Sequence, residues 1–189
     1  MPLTKVAVYC ASSERIHTDY FAAARQTGAL FAQAGVEIVY GGGGNGLMGA
    51  LADGAMAAGG RVTGVIPEFM VEVEWGHAAI SELRVVPDMH TRTRTFLELA
   101  DAFVALPGGC GTFEELFQAL TWKRLGLHNG PVALLNTRAY FDPCIRLLEQ
   151  SIEEGFMEDH HQAMWCVADT PDELLPALRR MPTWRAQVG

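Results

Sequence analysis

The sequence predicts an α/β fold, a doubly wound parallel sheet flanked by helices and built as one domain over residues 1–189. Short β-branched and aliphatic runs alternate along the chain with longer stretches of helical apolar period. The short runs are apolar nearly throughout, as strands buried on both faces must be. Small-residue turns follow three of these strands, on the carboxyl edge where sheets of this kind bind their ligands.

In chain order, KVAVYC (residues 5–10) is a strand and ASSERIHTD a polar loop. An alanine-rich helix over 20–34 stops at Gly35. A strand at 37–40 runs into GGGGNG, and a helix over 47–58 ends at Gly59-Gly60. A strand at 61–66 is closed by Pro67, and 68–81 reads as irregular. A strand at 82–86, a helix at 89–99 and a strand at 102–106 lead to PGGCGT and a helix over 113–125. The chain finishes with strand 132–135, helix 141–154, strand 164–168 and helix 171–181.

Composition removes several functions. Apolar residues make up 49% and charged residues 19%, which suits a packed core and excludes a disordered chain. A formal charge of −8 is wrong for a nucleic-acid backbone binder. The four cysteines, Cys10, Cys110, Cys144 and Cys166, are scattered without a CxxC or metal-ligand spacing, so reduced thiols and no metal site are expected. Neither a leader-like segment nor a membrane-length apolar run is present, and a cytoplasmic protein without membrane partners is expected.

Two turns carry the chemistry. In GGGGNGLMG, bare backbone lets a ligand approach, and the amides opening the next helix form an anion site. PGGCGT repeats the device after a neighbouring strand, and together they predict a phosphorylated ligand. Gly42, Gly43, Gly46, Gly108, Gly109, Gly111 and Thr112 of these turns, with Ser12 of the small-residue loop after the first strand, are the candidate binding residues. Gly41-x-Gly43-x-x-Gly46 also fits a dinucleotide fingerprint, with Glu68 as its ribose acid, so a nicotinamide enzyme is a competing reading.

Glu114 and Glu115 follow the second turn. Thr112-x-x-Glu115 can be a capping box, satisfying the first amides of its helix. The spacing also places Glu115 opposite an apolar stripe of Phe113, Leu116, Phe117 and Leu120, beside Ala119 and Trp122, a side that a second subunit could cover. Upstream, Arg92 shares a helix face with Phe96 and Leu99, whereas Arg94 has Glu98 at i+4 as a solvated partner. His90 reads as structural. Cys110 could be a thiolate at a helix start, but no base stands at a recognisable spacing.

With PGGCGTFEE, GGGGNGLMG and MHTR in order, the chain resembles the "lonely guy" (LOG) family over nearly its whole length. The resemblance implies a Rossmann-like fold, a homodimer or assembly of dimers with the site near the interface, and no cofactor. It implies cytokinin riboside 5′-monophosphate phosphoribohydrolase activity, with AMP as the parent ligand and free base plus ribose 5-phosphate as products. Glu115 and Arg92 match the motif's catalytic glutamate and arginine, and Gly109 to Glu115 line the nucleotide. Thr121 falls on a binding position, and Glu74 matches another. The family's Arg-Lys is Arg92-Thr93 here, so the lysine's role is absent or passes to Arg94. A non-catalytic nucleotide sensor or carrier of the same fold is the second reading.

Relatives labelled lysine decarboxylases raise the question of pyridoxal chemistry. Such an enzyme needs a lysine for its Schiff base. This chain has only Lys5, at the amino end of a strand, and Lys123, deep in a helix.

Overall fold

A computed structural model of the chain describes residues 3–71, 76, 77 and 79–186. Seven strands, β1 (Lys5–Tyr9), β2 (Glu37–Tyr40), β3 (Val62–Pro67), β4 (Glu82–Val86), β5 (Ala102–Ala105), β6 (Val132–Leu135) and β7 (Cys166–Ala168), form one parallel sheet in the order β4-β3-β2-β1-β5-β6-β7. The helices are α1 (Thr18–Gln33), α2 (Gly46–Ala57), α3 (Met89–Leu99), α4 (Cys110–Arg124), α5 (Asp142–Glu153) and α6 (Pro171–Arg180). Short 3-10 turns occupy Glu68–Met70, Thr137–Ala139 and Asp159–Met164.

Alternate residues of each strand enter opposite cores, as pleating requires. Val6 and Val8 pack with Phe31, Leu47, Leu51 and Leu174, beneath α1, α2 and α6. Ala7 and Tyr9 pack with Phe96, Phe103, Leu116 and Leu148, beneath α3, α4 and α5. The sheet is doubly wound, as expected, with its order reversing between β1 and β5. No helix among the described residues is long and apolar enough to cross a membrane.

Two helix starts differ from the expected ones. α1 begins at Thr18, because His17 caps it by accepting the Asp19 amide at 3.3 Å. α4 begins at Cys110, with Gly109 at its N-cap and no side chain capping it. Thr112 is therefore the third helical residue, and the expected Thr112–Glu115 capping box does not form.

The buried stripe of α4 is Thr112, Leu116, Ala119, Leu120 and Lys123. This is rotated from the expected stripe, leaving Phe117 exposed and Phe113 half-buried. Trp122 is covered from within the chain, its ring 6.1 Å from that of Phe103, so it does not by itself call for a second subunit. Lys123 reaches full burial because its Nζ donates to the Gly130 carbonyl at 2.9 Å. Burial then depresses its pKa to about 8.

Candidate active site

The switch point between β1 and β5 opens into a cavity of about 340 Å³. Its walls come from five places: the loop after β1 (Cys10 to Ser13), Met48 on α2, Met70, Met89 and Arg92 on α3, and the first turns of α4. Of the candidate site residues above, Ser12, Arg92, Gly109, Gly111, Thr112, Glu114 and Glu115 line it, as does the exposed Cys110.

Arg92 is the central feature. Asp88 caps α3 by accepting the Thr91 amide at 2.7 Å, a bond that holds its carboxyl below the usual carboxylate range. One turn on, Arg92 is only 7% exposed and lies over the Phe96 ring, 5.7 Å from Cζ to the centroid. Its Nη2 reaches the Gly41 carbonyl at 3.5 Å, and its Nη1 meets the Met70 and Met89 sulfurs at 3.7 and 3.8 Å. Glu115 Oε1 stands 3.9 Å from Nη2. Nε is buried with no hydrogen-bond partner among the described residues. A guanidinium has five donors, and leaving them short of oxygen inside a protein is costly. Soft sulfurs and long contacts do not meet that need. A bound ligand rich in oxygen or nitrogen acceptors would.

Glu115 is one of two acids on the α4 side, with Glu114 exposed beside it. Burial, with the Glu115 charge added, pushes the Cys10 thiol far above its ordinary value, so it stays neutral. The same two causes, in that order, raise Tyr9.

The α4 end of the cavity offers backbone donors. Cys110, Gly111 and Thr112 are the first three helical residues, whose amides have no carbonyl within the helix to bond. A methyl group at Gly109 or Gly111 would meet no atom of the described residues within 4 Å, so the backbone there is open to a ligand. Gly108 is closed: a side chain there would collide with Thr112 and approach the Ala11 amide.

The other glycine turn packs against the chain itself and does not join the first as an open cradle on this cavity. Gly42, Gly43 and Gly46 are buried and do not line the cavity. The first amides of α2 already have an acceptor, since Leu47 and Met48 donate to the Ala11 carbonyl at 2.9 and 3.3 Å. Gly46 has φ +62°, and a side chain there would collide with the Ser12 and Ser13 backbone. The dinucleotide reading loses its pyrophosphate site with these amides, and Glu68 is exposed outside the cavity.

Other expected residues also part company. Thr121 lies on the exposed side of α4, its hydroxyl bonded back to the Phe117 carbonyl at 2.8 Å, in a groove with Leu147 and Ser151. It is six residues beyond Glu115, roughly 120° around the helix. Glu74 lies outside the described residues. Thr93 is buried, its hydroxyl turned to the Met89 carbonyl, and Arg94 is exposed and does not line the cavity. His90 is exposed outside the cavity. Three further lining residues, Met48 and Met89 of the GLMG and MHTR motifs and Met70 of the segment without periodicity, carry no signal in the sequence beyond being apolar.

Neither lysine fits a Schiff-base role here. Lys5 pairs with Glu37 at 3.2 Å at the far edge of the sheet, and Lys123 is buried against Gly130. No group of three or more metal-ligating side chains occurs among the described residues.

Comparison with known proteins bears on this geometry. The family model described as "Possible lysine decarboxylase" matches residues 48–178. The probable cytokinin riboside 5′-monophosphate phosphoribohydrolase LOGL1 of Oryza sativa subsp. japonica is 40% identical over 98% of this chain and 83% of its own length. The cytokinin riboside 5′-monophosphate phosphoribohydrolase of Rhodococcoides fascians is 42% identical over 92% of this chain and 88% of its own. Among solved structures, a molybdenum cofactor carrier protein from Chlamydomonas reinhardtii superposes with a TM-score of 0.72 at 22% identity, covering 95% of this chain and 98% of that one. A molybdenum cofactor binding protein from Rippkaea orientalis superposes at 0.71, also at 22% identity, over 95% and 97%. These two show the shared fold alone. The chain belongs to the LOG family, whose model carries a decarboxylase label while its curated relatives are phosphoribohydrolases.

Proposed function

We propose that the cavity hydrolyses the N-glycosidic bond of cytokinin riboside 5′-monophosphates, and of AMP as a further substrate, to free base and ribose 5-phosphate. The observation that supports this most is the buried, under-bonded Arg92 guanidinium beside Glu115, one helix turn from the uncapped start of α4. Curated relatives with this activity by name add to it.

In this reading the α4 amides and the Ser12–Ser13 loop take the 5′-phosphate. Glu115 then lies beside the sugar, where its charge stabilises the oxocarbenium-like carbon and its oxygens orient the attacking water. The C1′–N bond breaks with its electron pair passing to the base. Arg92 donates hydrogen bonds to the departing base and spreads that charge, in a site walled by Met48, Met70 and Met89. Water supplies the new C1′ hydroxyl and, overall, the proton on the base.

The proposal includes a cytoplasmic homodimer. Thr121 faces away from its own cavity, so any contact it makes with a nucleotide must be across to a second copy. Half-exposed apolar side chains beside it, Phe117 at 37% and Leu147 at 54%, suit such a covered face.

The test is incubation with isopentenyladenosine 5′-monophosphate and with AMP, followed by chromatography for free base. Base and ribose 5-phosphate in equal amounts are expected. Saturable binding without base release would make the protein a sensor or carrier.

A further inference from the structure

Outside the cavity, the most unusual backbone in the chain is the turn after β6. Arg138 and Ala139 both have φ of +58°, the two non-glycine residues of left-handed conformation among the described residues. Such a pair persists only where surrounding structure holds it. Here three anchors do so. The Asn136 side chain spans the turn, donating to Asp142 at 2.8 Å and accepting from the Phe141 amide at 2.7 Å. Arg138 donates to Asp19 on α1 at 2.8 Å.

The third anchor is Tyr140, the residue that this backbone aims. Its hydroxyl donates to the Gly108 carbonyl. Its ring stacks on Phe113 in α4 (6.4 Å, 8° between planes) and sits edge-on to Tyr20 (6.0 Å, 80°). Tyr140 does not line the cavity of Arg92 and Glu115. It lines a smaller hollow, bounded also by Ala11, Ser13 and Gly109, on the other side of the turn.

The peptide bond makes this position consequential. In a trans peptide the N–H points opposite to the carbonyl. Holding the Gly108 carbonyl toward Tyr140 therefore turns the Gly109 N–H away from Tyr140, and Gly109 itself lines the cavity. Gly108 and Gly109 have no side chains to restrain them, and α4 has no side-chain cap. Along this stretch the Ala11 amide holds the Pro107 carbonyl at 3.2 Å, the Tyr140 hydroxyl the Gly108 carbonyl, and the Phe113 amide the Gly109 carbonyl at 3.0 Å, so Tyr140 is the one side chain of the three clamps.

We infer that Tyr140 is a positioning residue for the anion-binding turn: from outside the cavity it presets the Gly108–Gly109 peptide and the first turn of α4 for a 5′-phosphate. This rests on the phosphate placement proposed above and goes beyond it by naming what preorganises that placement.

Tyr140→Phe keeps the ring and its stacking and removes only the hydroxyl. Calorimetric titration with ribose 5-phosphate and with AMP is expected to show affinity about 5- to 10-fold lower than in the parent protein, the scale of one buried hydrogen bond. In the base-release assay, KM for the nucleoside 5′-monophosphate should rise by the same factor with kcat changed less, and turnover of the unphosphorylated nucleoside should not change. Thermal unfolding of the variant distinguishes this from general loosening, and a midpoint near the parent's is expected. Unaltered affinity and KM in Tyr140→Phe, or an equal loss for nucleoside and nucleotide, would overturn the inference. Parent protein that binds ribose 5-phosphate tightly, weakens in Tyr140→Phe, yet releases no base would leave the inference standing and remove the hydrolase. Parent protein that binds neither ligand would remove both.

Discussion

Residues 41–46 and 107–112 look alike as strings, each a glycine-rich bend between a buried strand and a helix, yet the fold uses them oppositely. In the first, the chain is its own ligand. The Ala11 carbonyl occupies the opening amides of α2, and Gly46 lets the Ser12 backbone press against the turn. In the second, no side chain caps the helix start, and no atom of the described residues lies within 4 Å of where a side chain at Gly109 or Gly111 would begin. The loop after β1 joins them: one side closes the first turn, and the other walls the cavity that the second turn opens into. Glycine enrichment alone thus reports close approach without saying whether protein or ligand makes it.

Substitutions separate the two uses. The largest effect is expected at the open turn's chemistry. Glu115→Gln should still bind AMP in a calorimeter while base release falls by about 10²–10⁴-fold. A rate near normal would remove Glu115 from the reaction. Arg92→Ala follows, with turnover down by about 10²-fold in the same assay, the scale of one lost electrostatic stabiliser.

The closed turn should answer in stability instead. Gly46→Ala combines a left-handed backbone with a collision against Ser12, and should lower unfolding free energy by ~3 kcal/mol in denaturant titration. The smallest effect is at Gly111→Ala. Its methyl group enters empty space, so stability should shift by no more than ~1 kcal/mol, in the favourable direction for a helix. Affinity for ribose 5-phosphate should nevertheless drop about 10-fold as that methyl group takes ligand space. A Gly111→Ala protein that unfolds like Gly46→Ala would erase the distinction between the turns.

Much of this was legible in the sequence for a physical reason. Central strands buried on both faces are apolar nearly throughout, so β1, β2, β3, β5 and β6 stand out, and the ends of β1 and β5 locate the cavity, whereas the edge strands β4 and β7 are half-exposed and stand out less. Arg92 could be read as held because Phe96 recurs one turn away on the same face. Other features were not legible because they depend on contacts distant in sequence. The Ala11 carbonyl that fills the first turn lies about thirty residues upstream of it, and the strained bend carrying Tyr140 lies a strand beyond the turn it braces. The start of α4 was misplaced because Thr112-x-x-Glu115 imitates a cap, while the helix opens on a glycine that caps nothing. Lys123 defied its residue type, since reaching the Gly130 carbonyl makes burial of an amine tolerable.

Amide chemical shifts during titration with ribose 5-phosphate test the difference between the turns most directly. The amides of Gly109, Cys110, Gly111 and Thr112 should move most, while those of Leu47 and Met48, already bonded to Ala11, should hold still. Dominant shifts at Leu47 and Met48, with the start of α4 unmoved, would contradict the account.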